Sequence, residues 1–188
     1  AGVPNTVPPT ITTAPLGGAV LAGQSKTFSV VADGTPPLAY QWYFNTGRLQ
    51  SKTNAALVLN NVQPADAGNY TVIVTNVAGA ATSPPVTLSV NVAPTLVPPV
   101  TSLFWLFVGE FLEVTNVAAD ADSTATNLTF SLDPGAPATA WIDPIGGVLI
   151  WGPEIADAGT TQHITVRVTD RGTPPGSATH TFQVNVHE

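Results

Sequence analysis

Cysteine and methionine are both absent from this chain, and only 9% of its residues are charged. Without cysteine there is no disulfide scaffold and no thiolate metal site, so packing alone must hold any core together. Five Lys and Arg against twelve Asp and Glu leave too little positive charge to neutralise a phosphate backbone, which argues against nucleic acid as a partner. There is no apolar run of about 18 residues and no basic-then-apolar leader, so nothing in this segment is expected to insert into a membrane. The three histidines, His163, His180 and His187, are scattered, and neither a cysteine nor a Gly-x-Ser-x-Gly elbow accompanies them. Asp143 and Asp157 do not form a recognisable acid pair. No catalytic residue is predicted, and the chain is expected not to be an enzyme.

What is present is strand pattern. Ile164, Val166 and Val168 fall on one face of an alternating stretch, and Phe182, Val184 and Val186 on one face of another. The 188 residues divide naturally into two sandwiches of about 90 each. Charge divides unevenly between them. Up to Ala93 two acids oppose three bases, and beyond it ten acids oppose Arg167 and Arg171 alone.

The first half carries Gly23-Gln24, the turn Gly34-Thr35-Pro36-Pro37, the strand Tyr40-Gln41-Trp42-Tyr43, then Leu57-Val58-Leu59, the run Asp66-x-Gly68-x-Tyr70-x-Val72, and Thr87-Leu88-Ser89-Val90. In this order the segment resembles an I-set immunoglobulin domain. The resemblance implies that Trp42 is a core residue and that Tyr70 forms a tyrosine corner. It also implies that Val30 and Val72 occupy the places of the two cysteines. The restraint of a disulfide, typically about 2–5 kcal/mol in small secreted domains, is therefore missing. Only Lys26 and Lys52 could join an asparagine covalently, and Lys26 shares the inward phase of Phe28 and Val30; the alternative is a strand-end lysine reaching solvent. Asn69-Tyr70-Thr71 and Asn127-Leu128-Thr129 match the glycosylation acceptor pattern, which matters only in a host that glycosylates.

From Ala93 a proline-rich linker (Pro94, Pro98, Pro99) leads into a second set: Gly109-Glu110, Ala119-Asp120-Ala121-Asp122, Leu128 to Leu132, Ala140-Trp141-Ile142-Asp143-Pro144, Gly147 to Pro153, and Val166 to Pro174. This half resembles the cadherin-like, dystroglycan-type modules of bacterial surface proteins. Trp141 and Trp151, at family positions, are expected in the core. The expected organisation is an N-terminal linker over 1–9, an immunoglobulin-like domain over 10–92 and a cadherin-like domain over 93–188, all-β, as two tandem Greek-key sandwiches.

The cadherin resemblance implies a candidate calcium site in Asp120, Asp122 and Asp170, placed where the two halves join. Calcium takes six to eight oxygens, so three carboxylates supply part of a shell. The linker Val90-Asn91-Val92-Ala93-Pro94 lacks the acidic motif that cadherins place there. The alternative is that these aspartates cap turns. A second candidate is the run Leu103-Phe104-Trp105-Leu106-Phe107-Val108. Phe104, Trp105, Leu106 and Phe107 are its possible interaction patch, since strand alternation puts one face outside the core. The alternative is packing within the chain. Sugar stacking on these rings wants neighbouring polar groups, and the run itself has none.

The chain starts at Ala1 without methionine and stops at Val186-His187-Glu188, so it looks cut from a longer protein. The functional expectation is a non-catalytic adhesion and spacer segment of a secreted or cell-surface multi-repeat protein. Its partners are other domains of the same chain and a cell-surface protein or polysaccharide. The alternatives are an accessory, carbohydrate-binding region of an extracellular enzyme, and a homophilic adhesin using the 103–108 strand.

Overall fold

The computed structural model describes residues 6–97, 99–123 and 127–188. Residues 1–5 of the expected N-terminal linker and Pro98 of the proline-rich linker lie outside them. The chain divides into two compact units, Ala1–Asn91 and Val92–Glu188, each with its own buried cluster. Among the described residues helix is confined to short 3-10 turns, and everything else regular is strand.

Unit 1 begins with β1 (Thr10–Thr13), β2 (Gly18–Leu21), β3 (Lys26–Ser29) and β4 (Val31–Asp33), then β5 (Ala39–Phe44), β6 (Gly47–Arg48) and β7 (Ala56–Leu59). After a 3-10 turn at Pro64–Asp66 come β8 (Gly68–Asn76), β9 (Gly79–Thr82) and β10 (Val86–Asn91). One sheet runs β2-β10-β8-β5-β6, with β9 added on β8; β1 with β4 and β3 with β7 form the strand pairs outside it. Alternation decides the core. Trp42 on β5 and Val72 on β8 are register partners, both fully buried with Phe28 and Leu57. Val30, between β3 and β4, is buried in the same cluster, so two valines fill the space that a disulfide would span. The Trp42 indole N–H is not sacrificed on burial, because it donates to the Asn54 carbonyl at 2.8 Å.

Unit 2 contains β11 (Thr95–Val97), β12 (Leu103–Phe107), β13 (Leu112–Thr115), β14 (Val117–Ala119) and β15 (Thr129–Leu132). It continues with β16 (Trp141–Ile142), β17 (Val148–Trp151), a 3-10 turn at Ile155–Asp157, β18 (Thr161–Thr169) and β19 (Ser177–His187). Its sheets are β12-β19-β18-β15, β13-β17-β16 and the pair β11-β14. Thr95–Val97, read above as linker, is thus the first strand of unit 2, hydrogen-bonded to β14. Trp151 is fully buried and its indole N–H donates to the Thr139 hydroxyl. Trp141 corrects the sequence expectation: it is 54% exposed, because β16 has only two residues and Ile142 takes the inward position.

The two units repeat one wiring. In each, an early strand pairs in parallel with the last one, β2 with β10 and β12 with β19, and a nine-residue strand, β8 or β18, runs antiparallel beside it. They differ at their short strands: β6 pairs with β5 in unit 1 whereas β16 pairs with β17 in unit 2, and unit 1 adds β9 beside β8. They also share a corner. Ala-Asp-Ala-Gly occurs at 65–68 and again at 156–159. In both places the aspartate accepts the backbone N–H three residues earlier, Asp66 from Gln63 and Asp157 from Glu154. The Tyr70 hydroxyl then donates to the Asp66 carbonyl at 2.8 Å, the tyrosine corner expected above. In unit 2 the Thr160 hydroxyl makes the corresponding bond to the Asp157 carbonyl at 2.6 Å.

Candidate functional site

Asp120 and Asp122 follow β14, and Asp170 follows β18. The Asp122 backbone N–H donates to Asp120 Oδ1 at 3.1 Å, and Asp122 Oδ2 accepts the Val92 N–H at 3.0 Å. Asp170, buried to 4% exposure, accepts the N–H groups of Gly172 and Gly176 through Oδ1, both at 2.9 Å. These carboxylates therefore close turns, as short aspartate side chains do. One oxygen differs: Asp120 Oδ2 is buried without a hydrogen-bond partner. Burial, together with the charges of Asp122 and Asp170, holds the Asp120 carboxyl above the usual carboxylate range. Among the described residues, no group of three or more His, Cys, Asp or Glu side chains is arranged to hold a metal ion. What exists is a turn-capping cluster with one oxygen to spare, rather than a preformed calcium shell.

The 103–107 run resolves into two faces. Phe104 and Leu106 point inward, Leu106 as a buried member of the core and Phe104 packed against it, so they do not belong to an interaction patch. Trp105 and Phe107 remain in it, 61% and 53% exposed, with Leu103 beside them at 46%. The ring of His187 stacks on Trp105 with centroids 5.2 Å apart and tilts against Phe107 at 5.6 Å. β12 is an edge strand, so these rings are approachable from two sides.

The other sequence candidates are structural. Lys26 donates to the Gly17 carbonyl at 3.0 Å and lies over the Phe28 ring, a strand-end lysine with its head turned to backbone rather than to an asparagine. His180 packs edge-on against Phe182 and bonds the Ser102 hydroxyl. Asp143 accepts the Ile145 N–H. Asp133, absent from the sequence reading, pairs with Arg167 at 2.6 Å, and the guanidinium holds its carboxyl below the usual range. No sequence signal marks that pair, because Asp133 follows β15 whereas Arg167 lies on β18, 34 residues on.

An immunoglobulin-domain family model matches residues 8–76. Hemicentin-2 of Mus musculus is 37% identical over 82 residues, 40% of this chain, and the chain spans only 2% of that protein's length. Among solved structures, extracellular domains 3–5 of Drosophila OTK align with a TM-score of 0.62 at 18% identity, over 96% of this chain and 62% of that one. The titin I-band fragment I67–I69 gives 0.60 at 18% identity, over 95% and 65%. Immunoglobulin domains 1–4 of Sidekick-1 give 0.59 at 21% identity, over 100% and 51%. Residues 8–76 thus match an immunoglobulin-domain model without any cysteine, and the whole chain shares the all-β, tandem immunoglobulin-like fold of these structures.

Proposed function

We propose that this chain is a non-catalytic, force-bearing spacer and adhesion segment of a secreted or cell-surface protein, with an immunoglobulin-like unit over 10–92 and a cadherin-like unit over 93–188. One observation carries the reading. In each unit an early strand runs parallel to the last strand, four residue pairs in β2–β10 and five in β12–β19. Tension applied through the two ends of such a unit pulls paired strands in opposite directions along their length. The ladder hydrogen bonds then resist together in shear instead of opening one at a time. The likeness to extracellular domains of OTK supports the compartment. The bacterial source is supported by the resemblance of the second half alone.

Single-molecule stretching of the chain between marker domains tests this. The expected trace has two unfolding peaks, each lengthening the chain by about 25–30 nm, from roughly 90 residues at about 3.4–3.6 Å apiece less the folded span. Extension without resolved peaks overturns the reading.

A second reading, calcium uptake by Asp120, Asp122 and Asp170, is favoured by the spare buried oxygen of Asp120. Calorimetric titration with calcium decides it. Saturable heat that disappears in Asp120→Ala/Asp122→Ala establishes the site, and a flat titration removes it.

A further inference from the structure

We propose that the outer face of the β12-β19-β18 sheet in unit 2 is a binding platform for a neutral polysaccharide chain. The proposal stands apart from the spacer reading, since a spacer requires no ligand on its face.

The register builds the platform row by row. Trp105 is level with Asn185, which is level with Thr161; Leu103 is level with Gln183, which is level with His163; Phe107 is level with His187. All point away from the core, because the intervening residues Leu106, Val184 and Ile164 are buried. The result is an aromatic strip along one edge of the sheet and a band of amide, hydroxyl and imidazole groups beside it. The 103–108 run has no polar neighbours of its own along the chain to bind the hydroxyls of a stacked sugar. Strand pairing supplies them.

Both parts are ordered. His187 stacks on Trp105 and tilts against Phe107, which restricts both rings. Trp105 and Phe107, two residues apart on one strand, lie about 6.6 Å apart along it, so the strip presents two rings in succession. The Asn185 carboxamide oxygen accepts the Thr161 hydroxyl at 2.7 Å, which directs its N–H donors elsewhere. At one end of the strip a groove of about 470 Å³ is lined by Ser102, Leu103, His163, Thr181 and Gln183, among others. An apolar wall with a few convergent polar groups is what a small-ligand site requires.

Charge selects the occupant. This half of the chain carries ten acids, yet no carboxylate stands on the outward positions of these three strands. The single charged side chain there, Arg167, is already held by Asp133. An ionic ligand finds no counter-charge on this face. A protein partner generally wants a broad apolar centre with a polar rim, whereas here the apolar strip is one strand wide. A pyranose chain offers the matching surface, with apolar C–H faces for the rings and hydroxyls for the amide band.

The test is titration of the full 188-residue chain with cellohexaose, xylohexaose and chitohexaose, read by calorimetry and tryptophan fluorescence. Saturable binding of at least one is expected. Trp105→Ala is expected to weaken it tenfold or more and Asn185→Ala several-fold, while Trp141→Ala, an exposed tryptophan on the other sheet, leaves it unchanged. Should Trp105→Ala fail to fold, as judged by circular dichroism, Gln183→Ala/Asn185→Ala serves in its place. Binding by none of the three sugars, or binding that survives these variants, overturns the proposal. So does concentration-dependent self-association abolished by Trp105→Ala without any sugar binding, which makes the face an interface between copies.

Discussion

Tyr70→Phe separates two contributions of one hydroxyl. The ring stays, with its stacking on Phe28 at 4.7 Å and its contact with Phe44 at 5.0 Å, so only the bond to the Asp66 carbonyl is lost. At neutral pH that loss costs about 1–2 kcal/mol, since a carbonyl of the corner loses its donor. In a unit of roughly 90 residues this lowers the midpoint by about 5–10 °C. Alkaline pH reverses the comparison. Burial, and then the charge of Asp66, push the Tyr70 phenol up to about 12 from an ordinary 10.0. The unfolded chain therefore gives up this proton first, and the wild-type unit loses stability as pH rises from about 10 through 12. The phenylalanine variant has no such proton to lose. Pulse proteolysis in urea, with unit 1 peptides read by mass spectrometry from pH 7 to 11.5, follows both effects. The expected result is a wild-type advantage at pH 7 that shrinks and vanishes by the end of the range. An advantage that stays constant would refute the buried phenol, and no difference at pH 7 would refute the corner.

Restoring the missing bridge as Val30→Cys/Val72→Cys, oxidised, is expected to raise the unit 1 midpoint, with about 4 kcal/mol as the chain-entropy ceiling for a loop of roughly 40 residues; intact mass and urea unfolding check closure and gain. Asp120→Asn removes a carboxylate whose charged form is penalised by burial. Because the folded state holds that proton more tightly than the unfolded one, the variant should be more stable than wild type at pH 7 in EDTA. The gain should fade as pH falls into the carboxylate range, and urea unfolding at pH 7 and pH 4 that shows equal gains, or a loss, refutes it. Gly147→Ala is expected to cost unit 2 at least about 2 kcal/mol. Gly147 has φ +68°, and an added Cβ would lie 2.6 Å from the Asn116 carbonyl oxygen and 3.0 Å from the Phe130 ring. Thermal unfolding measures the cost.

The immunoglobulin half was legible because its marks are local. Trp42, Tyr70 and the Asp66-x-Gly68 corner lie within short segments whose spacing reflects backbone geometry, and Val30 and Val72 read directly as buried replacements for cysteine. Alternation placed Ile164, Val166, Val168, Phe182, Val184 and Val186 inward for the same reason, and all are buried. The repeated Ala-Asp-Ala-Gly was equally visible and would have pointed to the second corner. Trp141 was misplaced because a strand of two residues has no period from which to read a face.

The roles of the aspartates and the aromatic strip were decided elsewhere. Whether Asp170 binds an ion or caps a turn depends on where Gly172 and Gly176 direct their N–H groups, and whether Trp105 has polar neighbours depends on Asn185 and Thr161 arriving by strand pairing. A period of two sends each residue of a strand in or out from sequence alone, because the pleat is a property of one backbone. Which residues then stand side by side is a matter of register between distant strands, and only the folded chain sets that.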